Sequence, residues 1–119
     1  MTGLFGGTDT DTLDRLFDDA VINGYNGYTA WYVGSVYTYV CSVFTQMEAR
    51  QNARYPKSIT WNRARKQCTL CNGAVIEFRS SENVYTLYGL DINKAVVDEQ
   101  TMCNRDAWRA IKNALLRST

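Results

Sequence analysis

Three features of this sequence predict a small α/β protein. Apolar residues recur at helical spacing in two segments, short apolar runs indicate buried strands, and an Asn-Gly pair separates two further strand-like runs. The 119 residues suffice for one domain with a single core, and no repeat or low-complexity tract interrupts them. We therefore predict one domain over residues 1–119, with a small sheet and about three helices.

Helices are predicted over about residues 11–22, 35–53 and 105–117. In the first and the third, the apolar residues form one face of a helix. The middle segment is ambiguous, because its β-branched and aromatic residues favour a strand whereas its apolar spacing favours a helix. We predict a helix there, because the helical period extends over a length that is unusual for a strand.

Strands are predicted over residues 29–33, 59–61 and 95–97. An antiparallel hairpin is predicted over about residues 67–79, because two strand-like runs flank Asn72-Gly73, the strongest short-range hairpin signal. Asp98 and Glu99 follow the apolar run at 95–97 directly. Two carboxylates at the end of a buried strand are the arrangement by which nucleotide hydrolases hold Mg²⁺ and orient water. The pattern alone is common, however, and by itself it favours a buried strand followed by a solvated acidic turn.

Composition excludes several classes of site. No run of 18 apolar residues is present, so we predict no membrane span and no membrane partner. The N-terminus lacks the basic and apolar parts of a signal peptide, so we expect reduced thiols. Histidine is absent, which removes Ser-His, Cys-His and Zn-His mechanisms.

A zinc site is not expected, although Cys68 and Cys71 have the spacing of half a zinc knuckle. The other two cysteines, Cys41 and Cys103, are far apart in the sequence. Strand alternation would also direct Cys68 and Cys71 to opposite faces. We interpret all of them as small apolar residues.

Charge is unevenly distributed although the net charge is only +1. Residues 9–19 carry five aspartates and one arginine. Residues 48–79 carry seven cations and two glutamates, and this basic stretch either forms a solvated face or meets a phosphate backbone. The candidate residues of a nucleic-acid or partner surface are its cations and two aromatics: Arg50, Arg54, Tyr55, Lys57, Trp61, Arg63, Arg65, Lys66 and Arg79.

The order of these segments resembles the ATPase core of the large terminase subunit, the DNA-packaging motor of tailed phages, which has a P-loop-NTPase fold. The similar segments are, in order, TAWYV, NGAVIEFRSSEN, LYGLDINKAVVDEQ and DAWRAIKNALLRS. The resemblance implies that Asp98 binds Mg²⁺ through a water and that Glu99 polarises the attacking water. It also implies ATP as the ligand and the cytoplasm of an infected bacterial host as the location.

The resemblance places a phosphate loop at residues 3–10, where this chain departs from the motif G-x-x-x-x-G-K-[ST]. The candidate nucleotide-binding residues there are Gly3, Gly6, Gly7, Thr8 and Thr10, and Thr10 is also a candidate Mg²⁺ ligand. Asp9 stands where the motif has its lysine, which weakens phosphate binding. We also expect the strand that normally leads into this loop to be missing, which would leave an open sheet edge and allow homo-oligomers.

Two interpretations remain open from the sequence. In the first, the chain is a terminase-like ATPase core related to DNA packaging, with impaired or no ATP hydrolysis. In the second, it is a stand-alone phage protein derived from terminase that acts by binding. Its partner would be a host defence complex of the CRISPR type, the packaging motor, or DNA.

Overall fold

The computed structural model describes residues 4–6, 10–98 and 105–117. In this part of the chain, six strands form one mixed sheet with helices on both faces. The strands are β1 (Leu4–Gly6), β2 (Thr29–Gly34), β3 (Ile59–Asn62), β4 (Gln67–Leu70), β5 (Val75–Ser80) and β6 (Lys94–Val97). The helices are α1 (Thr10–Asn23), α2 (Tyr37–Arg54) and α3 (Arg105–Arg117), and a short 3-10 helix spans Val84–Leu87.

The sheet has the order β1-β6-β2-β5-β4-β3. Its first four strands are parallel to one another, and β4 and β3 continue the sheet in antiparallel fashion. The predicted α/β class, the hairpin and the three helices are thus confirmed. The ambiguous middle segment is the helix α2, whose apolar residues pack against the sheet.

Helices α1 and α2 cover one face of the sheet, which we call the α1/α2 face. Leu16 and Phe17 of α1 and Phe44 of α2 are at most 1% exposed and pack there with Tyr32 and Phe78. Phe44 and Phe78 meet edge to face, with ring centroids 5.2 Å apart. Because edge-to-face rings add to the free energy of simple burial, this aromatic contact fixes α2 against β5.

Helix α3 covers the opposite face, which we call the α3 face. Ala107 and Ile111 are fully buried there against Trp31 and Val33 of β2 and Val97 of β6. Consecutive residues of β2 therefore face different helices, as strand alternation requires. Because α3 packs over β6 and β2, both strands are buried on both sides, which explains why they are continuous apolar runs in the sequence.

Strand β1 corrects the expectation that no strand precedes the predicted phosphate loop. Leu4, Phe5 and Gly6 pair in parallel with Ala95, Val96 and Val97. The edge of β6 that would have been open is therefore covered, and the argument for strand pairing between copies at that edge is lost. A three-residue strand has no sequence period of its own, so only its pairing with β6 reveals it.

Candidate functional site

The candidate site lies at the carboxyl ends of the parallel strands. Residue 98 follows β6, Gly34 ends β2, and Thr10 begins the helix that follows β1. The backbone N–H of Asp98 donates a 2.9 Å hydrogen bond to the carbonyl oxygen of Val33, so the pairing of β6 with β2 extends to Asp98. In α/β sheets, ligands bind in the crevice beyond such strand ends.

Asp98 is a buried carboxylate, only 8% exposed. Its position one residue past β6 is the one that the resemblance requires of a residue that binds Mg²⁺ through water. Glu99, the other candidate catalytic residue, lies outside the described residues, as do Gly3, Gly7 and Thr8.

The remaining candidate nucleotide-binding residues lie in regular structure. Gly6 belongs to β1, where it pairs with Val97, and Thr10 is the first residue of α1 and is exposed. Three residues, 7–9, connect the strand to the helix. The segment 3–10 is thus not one continuous loop, because part of it forms a strand.

The hydroxyl of Tyr32 has no hydrogen-bond partner in the described part of the chain, although this side chain is fully buried. Burial first, and then the charge of Asp98, raise the pKa of the Tyr32 phenol. A Cβ added to Gly34 would lie 2.7 Å from Val40 Cγ2 and 3.2 Å from Tyr32 Oη. Tyr32 lies within the strand predicted over residues 29–33, but nothing in the sequence indicated that its hydroxyl lies beside the end of β2.

Two aspartates of α1, Asp14 and Asp18, form ion pairs with arginines of α2. Asp14 accepts hydrogen bonds from Arg50 Nε at 2.9 Å and from the buried Gln51 at 2.7 Å. Asp18 accepts one from Arg54 Nη2 at 2.7 Å and another from the Tyr55 hydroxyl. These carboxylates therefore hold two helices together on the α1/α2 face.

The predicted basic surface is consequently divided. Four of its seven cations are in ion pairs within the described chain: Arg50, Arg54, Arg63 and Arg79. Trp61 also has partners within the chain, because it donates to Asn52 Oδ1 at 2.8 Å, lies at a tilt to Phe17 and meets Phe44 edge to face. Lys57, Arg65 and Lys66 have no ion-pair partner among the described residues and are the cations that a phosphate or an acidic partner could still meet.

Arg79 lies on the α3 face beside a cleft of about 680 Å³. Its guanidinium carbon lies 5.1 Å from the centroid of the Trp31 ring, and Nη2 contacts both oxygens of Glu77 at 3.3 Å. Nη1 donates to the carbonyl oxygen of Thr86 at 3.1 Å. Arg79 thus connects the 3-10 helix to the sheet. The cleft carries Arg65, Arg79, Glu77 and Glu82, so its positive and negative charges balance.

The cysteines that the structure describes do not form a cluster. Cys68 is buried and Cys71 is exposed, and burial raises the pKa of the Cys68 thiol to about 12. Among the described residues, no group of three or more histidine, cysteine, aspartate or glutamate side chains could hold a metal ion. Cys103, the fourth cysteine, lies outside the described residues.

Comparison with protein-family models, curated proteins and solved structures found no match to this chain. Over the residues that the structure describes, no helix has both the length and the apolar character needed to cross a membrane.

Proposed function

We propose that this chain is a phage terminase-like ATPase-core protein, related to DNA packaging, that holds Mg²⁺ at Asp98 but does not hydrolyse ATP on its own. One observation carries the proposal: β1 lies parallel to β6, so the connection from β1 to α1 begins beside the end of β6, which Asp98 follows directly. In nucleotide-binding α/β proteins, the phosphate site and the cation site lie together at the carboxyl ends of the parallel strands.

The cation half of such a site is well supported. Mg²⁺ keeps several waters and takes one or two carboxylates together with substrate phosphates, so a single buried aspartate is a suitable ligand. Asp98 supplies that carboxylate. Thr10, which carries a hydroxyl, is the first residue of the helix that follows β1. The unpartnered hydroxyl of Tyr32 adds a polar atom that a hydrated cation could satisfy.

The phosphate half is weak, which is why we propose no hydrolysis. The first basic residue of the chain is Arg15, already inside α1, so the lysine that neutralises the β- and γ-phosphates has no counterpart in residues 3–10. The first turn of α1 contains Asp11. A carboxylate there opposes the attraction that a helix N-terminus otherwise exerts on a phosphate.

Calorimetric titration with ATP in the presence and absence of Mg²⁺ tests the proposal. We expect millimolar binding that requires Mg²⁺, is lost in Asp98→Asn, and is accompanied by no phosphate release. Asp91→Asn is the matched control, because Asp91 is an exposed aspartate in the segment that leads into β6, at the opposite end of the strand from Asp98. Absence of heat at millimolar Mg-ATP, or equal heat from Asp98→Asn and the wild type, would overturn the proposal.

A second candidate function, binding without nucleotide chemistry, is favoured by the exposed aromatics. Tyr85 is 87% exposed, and Tyr37, Tyr39 and Tyr88 are each more than 40% exposed. Tyrosines of this kind are enriched in protein interfaces. Such a protein would bind the packaging motor or a host defence complex of the CRISPR type.

Co-purification with the packaging proteins of the same phage tests this second function. Tyr85→Ser combined with Tyr37→Ser should abolish the association, whereas Ile22→Ser, at an exposed apolar residue on α1, should leave it unchanged. Retention of the partner by the tyrosine variant would exclude Tyr37 and Tyr85 as the binding residues.

A further inference from the structure

A fully buried tyrosine hydroxyl without a partner destabilises a folded protein. Tyr32 Oη has no hydrogen-bond partner among the described residues, although the side chain is 0% exposed. The contrast with Tyr28 is direct, because the hydroxyl of that buried tyrosine donates to Asp19 at 2.5 Å. A polar ligand group that reached the Tyr32 hydroxyl would therefore gain a hydrogen bond.

This hydroxyl lies near the carboxyl ends of the parallel strands. Tyr32 pairs with Val96 in the sheet register, and both residues pack on the α1/α2 face. Strand alternation continued past β6 places Asp98 on that same face, two residues after Val96. The backbone N–H of Asp98 donates to the carbonyl oxygen of Val33 at 2.9 Å, so Asp98 lies beside the end of β2 that the Tyr32 hydroxyl approaches.

Gly34 makes room for the hydroxyl at that edge. A Cβ at Gly34 would lie 3.2 Å from Tyr32 Oη and 2.7 Å from Val40 Cγ2. Such distances are shorter than ordinary van der Waals contacts, so a larger residue would displace either the phenol or the start of α2. The absence of a side chain at Gly34 thus allows the Tyr32 phenol to reach the end of β2.

We propose that Tyr32 is a positioning residue for a divalent cation held at Asp98, its hydroxyl accepting a hydrogen bond from a water of the cation's hydration shell. The inference rests on the proposed cation site at Asp98. A hydrated Mg²⁺ bound through water presents donors, and a phenol oxygen is an acceptor as well as a donor. Groups that hold a metal's ligands or waters in place commonly contribute 10–100-fold to its affinity.

Manganese is the probe, because it prefers the same oxygen ligands as Mg²⁺ and its free form is counted by electron paramagnetic resonance. We expect Tyr32→Phe to bind Mn²⁺ about tenfold more weakly than the wild type. Without metal, this variant should melt at the same temperature as the wild type or higher, because it lacks only an unpartnered hydroxyl. Tyr28→Phe, which loses a hydrogen bond elsewhere, should melt lower and bind Mn²⁺ normally.

A measurement on the wild type makes the test independent of the variants. With ¹³C-labelled tyrosine, Mn²⁺ should broaden the ring signals of Tyr32 more strongly than those of Tyr28. Equal Mn²⁺ affinity of Tyr32→Phe and the wild type, or equal broadening of both rings, would overturn the role of Tyr32 alone. Unchanged Mn²⁺ affinity in Asp98→Asn, or no binding by the wild type, would overturn the cation site itself.

Discussion

The indole of Trp31 donates a 2.9 Å hydrogen bond to Oε1 of Glu77, across the pairing of β2 with β5. The two residues are directly opposite in register, and Arg79 lies over the indole ring and contacts the same carboxylate. Trp31 is fully buried, so its N–H depends on Glu77 for a partner. Glu77 therefore satisfies a buried donor and balances a half-buried guanidinium at the same time.

Replacement of Glu77 should accordingly destabilise the protein through two unsatisfied groups. We expect Glu77→Ala to lower the free energy of unfolding by about 2–4 kcal/mol, because an indole N–H and a guanidinium both lose their acceptor. Glu77→Gln should cost less, since its amide oxygen still accepts from the indole. Urea denaturation followed by Trp fluorescence measures both values. Equal losses for the two variants would show that the indole hydrogen bond contributes nothing.

The ion pair between Asp14 and Arg50 should make the packing of α1 on α2 sensitive to acid. The hydrogen bond from Arg50 lowers the pKa of Asp14 below its ordinary value of 3.8, with Gln51 and Arg54 also contributing. Because the folded pKa lies below the unfolded one, the stabilisation is complete above about pH 4 and is lost as the pH falls through the folded pKa.

Asp14→Asn tests this expectation. The stability difference between the wild type and the variant should be largest near neutral pH and should shrink steadily from about pH 4 downwards. Thermal melts at a series of pH values measure it, with Asp91→Asn as a control at an exposed position. A difference that does not change with pH would mean that the charge of Asp14 does not stabilise the helix pair.

Much of the fold was predictable because its signals are local. Residue spacing alone indicated the apolar faces of α1 and α3 and the Asn72-Gly73 turn. Each of these features depends only on residues that are close together in the sequence. The same spacing resolved α2 correctly against its β-branched composition. Strand β1 was missed because three residues without a period become a strand only through pairing with β6.

The site was less predictable, because its contacts join distant parts of the sequence. Asp14 and Arg50 are 36 residues apart and Trp31 and Glu77 are 46 apart, so separate acidic and basic stretches gave no indication that they pair with each other. The position of Asp98 at the end of β6 was predictable from the apolar run before it. The unpartnered hydroxyl of Tyr32 was not, since a tyrosine within a buried strand has the same sequence pattern whether or not its hydroxyl is bonded.

Gly34 should not tolerate even an alanine. The added methyl group would lie 2.7 Å from Val40 Cγ2 and 3.2 Å from Tyr32 Oη, so we expect Gly34→Ala to lower the free energy of unfolding by about 1–3 kcal/mol. Val40→Ala removes the closer contact, and the double variant should lose less stability than the sum of the two single variants. Urea denaturation of the wild type, the two single variants and the double variant measures the coupling free energy between the two positions. Strict additivity would show that Val40 is not what excludes the methyl group.

Restoring charge at the connection between β1 and α1 should improve nucleotide binding only slightly. Thr8→Gly combined with Asp9→Lys supplies the glycine and lysine of the motif directly before Thr10, the first residue of α1, and replaces a repulsive carboxylate by a cation. The motif, however, places residues 4–6 inside the phosphate loop, whereas here Leu4–Gly6 form β1. We expect the affinity for Mg-ATP to rise by less than about tenfold, which corresponds to less than about 1.4 kcal/mol.

Thr8→Gly with Asp9→Asn is the matched control, because it removes the repulsion without adding a cation, and it should show part of the same gain. A rise of a hundredfold or more in calorimetric titration would contradict this, and would mean that charge alone had disabled the site.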